Sequence, residues 1–182
     1  MQQPKIVELN MPKIAKLNIW LTIILVITFT IVYKIMYGQT NFSFLTMLVV
    51  AVLYIIFIVL HEAFHLIGFM MFGGAKFKEL DYGINLKLGI AYATTVKPLT
   101  NSAMKKALLL PFWTTGVFPT ILGFYIESFA FVLTGALLIA GAVGDFAMYK
   151  ELRKFPDDVL VKDDPQLPKF YIFEVNFYEE GY

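Results

Sequence analysis

A chain of 182 residues with 58% hydrophobic and 16% charged side chains and a mean hydropathy of +0.68 is too apolar for an ordinary soluble domain, and it reads as one integral membrane domain. The net charge of +1 gives no reason to expect nucleic acid as a partner, since the lysines gather at the ends of apolar runs instead of forming a stripe. With no cysteine, disulfides and thiolate metal sites are excluded, so any metal must be held by His, Asp or Glu.

In chain order, residues 1–16 are a polar segment in which Lys5, Lys13 and Lys16 face a single Glu8, which predicts a cytoplasmic N-terminus. The run from Leu17 to Met36 has the length of a first membrane span and is followed by no small-x-small cleavage signal. Lys34, between Tyr33 and Tyr37, reads as a lysine snorkelling among aromatic anchors at the outer interface. After an uncharged outer turn, residues 37–43, a second span runs inward from Phe44 to Phe72 and ends at Gly73-Gly74. Residues 75–106 are lysine-rich, and alternating stretches near 84–88 and 90–94 predict a small cytoplasmic β-element. Such an element can serve as a cover, or as a sheet edge that an extended peptide joins as a strand.

A third span, Ala107 to Ile126, is interrupted by Pro111, Gly116, Pro119 and Gly123, residues tolerated at membrane depth where the freed backbone groups line a cavity or meet other helices. The hydroxyls of Thr114 and Thr115 are available to a substrate or to neighbouring carbonyls. The fourth span, Phe129 to Tyr149, bears small residues and then Asp145 near its inner end, and Lys150, Arg153 and Lys154 place the C-terminus inside. The prolines of the tail 150–182 predict a linker, and residues 170–178 a strand that could join the sheet of residues 77–95. The expected architecture is mainly α: a polytopic cell-membrane protein with four transmembrane helices in 17–149, a cytoplasmic β-element, and both termini cytoplasmic.

The chemistry lies in His61-Glu62-Ala63-Phe64-His65, inside the second apolar run. Histidines at i and i+4 on a helix lie about 6 Å apart along the axis and both reach one ion, with Glu62 beside it. Ionisable groups near a bilayer centre cost at least ~2.5–3.5 kcal/mol each on insertion scales, so three on one apolar helix need a compensating role. The bland alternative is a hydrogen-bonded cluster that pins helices together. A catalytic zinc normally takes three protein ligands and keeps an open position. The candidates for the third are Asp81, Glu127 and Asp145. Asp145 and His65 fall within ~5 Å in depth on helices running in the same direction. Glu127 sits at the outer surface, and Asp81 reaches the site only by folding back across Gly73-Gly74. The competing role for Asp145 is an ion pair with Lys150 or Arg153.

At these residues the chain resembles the intramembrane zinc metalloproteases of the site-2 protease type, with HExxH on one core membrane helix and a ligand aspartate on a later one. It is still more similar, over roughly residues 55–175, to small bacterial membrane proteins described as putative zincin peptidases, which share the HExxH span, a proline-interrupted span like residues 108–123, and a Gly-Asp pair like Gly144-Asp145. It departs from site-2 proteases in Phe64 before the second histidine and Phe146 after the aspartate. The resemblance implies zinc held by His61, His65 and Asp145, Glu62 as catalytic base, and a membrane protein or peptide as substrate. Two other classes of function compete: a non-catalytic relative that binds a membrane protein, and, ranked lowest for want of repeats or paired broken helices, a metal carrier.

Overall fold

The computed structural model describes residues 3–85, 90–164 and 167–173. A short strand β1 (Lys5–Glu8) leads into α1 (Met11–Tyr37), which starts six residues before the expected span because Asn10 caps it, accepting from the Lys13 N–H at 3.0 Å, with Pro12 in the first turn. α2 (Phe44–Gly73) is capped by Ser43 and stopped by Gly74, whose φ of 60° is the left-handed conformation that terminates helices. A hairpin follows, β2 (Leu80–Asn85) with β3 (Ile90–Thr95), and then a two-residue strand β4 (Leu99–Thr100). Part of the alternating stretch 84–88 lies outside the described residues.

The third apolar segment is continuous helix from Asn101 to Tyr125. Its prolines do not break it. α3 (Asn101–Pro111) passes into a π-helical turn, Phe112–Val117, and then α4 (Phe118–Tyr125). α5 (Phe129–Gly141) is the central helix, with Val132, Thr134, Ala136 and Ala140 fully buried, and the chain bends at Ala142 into α6 (Val143–Leu152). Four helical segments are thus long and apolar enough to cross a membrane. α1 and α2 turn side chains such as Ile24, Ile35, Leu45, Ile55 and Val59 outward, the pattern of a surface meeting a non-aqueous solvent.

The C-terminal tail corrects one expectation. β5 (Leu160–Asp163) and β6 (Lys169–Phe173) do not join the β2–β3 hairpin; they form a separate antiparallel sheet of order β1-β6-β5-β4, with Val7 opposite Phe170 and Val161 opposite both Leu99 and Ile172. The reason is burial. Phe170, Ile172 and Val161 point to one face and pack with Leu99, Met104 and Leu152 in the core where the bundle ends. Residues 174–178, also expected in that strand, lie outside the described residues. Asn101, fully buried, fixes this end: its side-chain amide donates to the carbonyls of Leu152, Phe155 and Pro156, covering the C-terminus of α6. At the opposite end the hydroxyls of Tyr33 and Tyr37 donate to the carbonyls of Glu127 and Phe124, tying α1 to the α4–α5 turn.

Candidate metal centre

His61 and His65 stand one turn apart on α2, their ring centroids 4.9 Å apart. Asp145 approaches from the first turn of α6, where the helix macrodipole favours negative charge. His61 Nε2 lies 3.1 Å from Asp145 Oδ2, and His65 Nε2 lies 3.4 Å from Oδ1. The three residues offer ligand atoms within 4.8 Å of one another. Asp145 pairs with neither Lys150 nor Arg153 among the described residues. Asp81 sits in the hairpin opposite Thr94, and Glu127 in the far turn; neither belongs to the group.

The other ring nitrogens decide the tautomers. His65 Nδ1 is 3.2 Å from the carbonyl oxygen of Ala107, which can only accept, so Nδ1 bears the proton. That carbonyl is free for a local reason. In a regular helix it would accept from the N–H four residues on, which is Pro111 and has none. Gly68 lets α3 come close enough, since a Cβ there would lie 2.8 Å from Ala107 Cα. His61 Nδ1 is 3.2 Å from Thr115 Oγ1, and that hydroxyl lies 2.8 Å from the Pro111 carbonyl. The hydroxyl donates to the carbonyl and therefore accepts from His61 Nδ1–H. Both Nε2 lone pairs then face the carboxylate. Lone pairs so opposed require protons or a cation between them, and two neutral imidazoles with a carboxylate are a zinc donor set. The 3.1 and 3.4 Å separations run to the two different oxygens of Asp145, so the carboxylate faces both rings, and one ligand atom from each residue lies within 4.8 Å of the others, close enough to share one ion.

Residues 54–160 match a protein family described as "putative zincin peptidase", over more than half of the chain and across His61, Glu62, His65 and Asp145. The chain belongs to that family. No curated protein and no solved structure matches it. For a zincin-family chain the name implies zinc and a metallopeptidase, and the donor set just described is of the kind that metal takes.

The zincin centre opens onto a cavity of about 490 Å³ that Glu62 also borders. Glu62 makes no side-chain hydrogen bond among the described residues. One wall is β3: Ala91, Tyr92, Ala93 and Thr94 all border the cavity. Successive strand side chains alternate in direction, so four in a row bordering one space place the strand's edge there. A further wall comes from the two terminal segments, which are joined by a 2.9 Å hydrogen bond from the Leu9 N–H to the Pro168 carbonyl and contribute Leu9, Met11, Asp163, Leu167 and Pro168. Three features of the site were missed by reading the sequence: the role of Thr115 as partner of His61, the Ala107 carbonyl, and Asp163. The only signal for the second was the spacing of Pro111, four residues after Ala107.

Proposed function

We propose that this chain is a membrane-embedded zinc peptidase of the site-2 protease type that hydrolyses peptide bonds of membrane or membrane-associated proteins. The observation that carries the reading is the convergence of the two Nε2 atoms and the Asp145 carboxylate beside a cavity bordered by Glu62, whose carboxylate makes no hydrogen bond among the described residues. His61, His65 and Asp145 would hold the metal. When bound, zinc supplies Lewis acidity for the attacking water and the scissile carbonyl. Glu62 accepts a proton as the water oxygen bonds to the carbonyl carbon, and returns a proton to the nitrogen as the C–N bond breaks. The free edge of β3 suits an extended substrate, whose backbone would pair with it and be held straight along the cavity.

The outward apolar faces of α1 and α2 support insertion in a bilayer. Pairing of β1 with β6 puts the two terminal segments at one end of the bundle, and the lysines and arginine flanking the helices there support a cytoplasmic assignment for both. The site lies at that end. Metal analysis of the detergent-purified chain tests the reading: about one zinc per chain, lost in His65→Ala and Asp145→Ala. Glu62→Gln should keep the zinc and lose hydrolysis of a mixture of synthetic peptides. Hydrolysis unchanged in Glu62→Gln would leave a metal-binding protein that holds partners without cleaving them.

A further inference from the structure

The cavity contains more carboxylate than hydrolysis uses. Glu62, Asp145, Asp163 and Asp164 border it, and no lysine or arginine does among the described residues. Two of these are accounted for by the proposed metal and base roles. Asp164 is engaged by the Tyr171 hydroxyl at 2.9 Å and by Lys169, 3.7 Å away. Asp163 is different. Among the described residues its carboxylate accepts a single hydrogen bond, from the backbone N–H of Asp164, 3.0 Å from Oδ1, and no cationic side chain pairs with it.

Its position in β5 explains why it faces the cavity. Side chains two apart on a strand share a face, and Val161 on that face is buried in the core at the end of the bundle, whereas Lys162 lies on the other. At the strand's end, that same face borders the cavity. Burial pushes the Asp163 carboxyl up to about 7; the Asp164 N–H and His65 oppose this, and the charges of Asp164 and Asp145 add to it. No lysine or arginine among the described residues pairs with this cavity-facing carboxylate, and a cationic group of a ligand entering the cavity would do so.

We infer that Asp163 forms a subsite for a cationic group of the substrate, an ammonium or guanidinium close to the bond to be cut. The group would come either from a lysine or arginine side chain or from the peptide's own α-amine. Asp163 lies just beyond the residues that define the family match. This inference rests on the peptidase reading for its meaning, but its binding test does not need turnover.

The experiment uses the zinc-loaded 182-residue chain in detergent and sets of fluorescent peptides identical except for lysine, norleucine or glutamate at one position, each with a free or an acetylated amino terminus. Binding is read by anisotropy on Glu62→Gln, and cleavage by mass spectrometry on the wild type. Lysine peptides should bind and be cut roughly tenfold to a hundredfold better than norleucine peptides, the range for a hydrogen bond to a charged group. Asp163→Asn, with its zinc retained, should abolish the difference, and Asp163→Lys should turn it toward glutamate. A preference that follows the free amino terminus and vanishes on acetylation assigns the subsite to the α-amine; one that survives acetylation assigns it to a side chain. Lysine and norleucine peptides binding equally to the parent chain, with no effect of acetylation, would overturn the inference without any variant. A preference unchanged in Asp163→Asn would overturn it too. Selective binding without cleavage would retain the subsite and defeat the peptidase reading.

Discussion

Replacing Thr115 by valine keeps the shape of a fully buried side chain and removes one hydroxyl. That hydroxyl links the Pro111 carbonyl, at 2.8 Å, to His61 Nδ1, at 3.2 Å. Without it His61 has no acceptor for Nδ1–H, so its proton no longer prefers that nitrogen and the ring no longer has a fixed orientation. Loss of such a partner to a metal-bound histidine typically lowers metal affinity by about 10–100-fold, or ~1.4–2.7 kcal/mol. Thr115→Val should therefore bind zinc weaker by that factor, and Thr115→Ser, which keeps the hydroxyl, within a few-fold of wild type. Competition against a chromogenic chelator in detergent measures both, with far-ultraviolet circular dichroism to check that helix content is retained. Equal affinity in wild type and Thr115→Val would refute the tautomer argument, because the hydroxyl would then contribute nothing to presenting Nε2.

Gly68→Ala puts a methyl 2.8 Å from the Ala107 backbone, which cannot move aside without parting α2 from α3. Overpacking of this kind costs about 1–3 kcal/mol, and the parting should lengthen the His65–Ala107 bond, so thermal stability and zinc affinity should fall together; either falling alone contradicts the coupling. Asn101→Leu leaves the carbonyls after α6 without their donor and should destabilise by about 1–3 kcal/mol, read as a lower midpoint in thermal denaturation. Asp163→Asn should do the reverse at neutral and higher pH. In the zinc-free chain, where this is to be measured, the folded carboxyl titrates at about 7, above the ~3.9 of an unfolded chain, so the native state binds the extra proton. Its contribution is fully favourable below pH ~4 and is lost as pH rises through 7, up to roughly 4 kcal/mol. The variant should gain several degrees at pH 8, and the gain should shrink as the pH is lowered toward 4; a gain independent of pH would rule out ionisation as its source.

Much of this protein was legible in the chain because its signals are local. The apolar runs gave four helices of spanning length, displaced by a few residues where Asn10 and Thr100 cap earlier than hydropathy alone suggests. The spacing of His61 and His65 put both rings on one face of α2, and helix direction and depth were enough to favour Asp145 over Asp81 and Glu127. Local pattern could not give the partners of short strands, whose pairing depends on which faces find a core. Thus β6 lies between β1 and β5, not beside the hairpin. Nor could it show that two terminal segments wall the cavity or that Asp163 faces it. The chain by itself determined the candidate ligands His61, His65 and Asp145 and freed a carbonyl by placing Pro111 four residues after Ala107. Which group took up that carbonyl, and which hydroxyl took up His61, depended on α3 packing against α2 at Gly68. Hydrogen bonds between distant residues exist only once burial has brought the helices together.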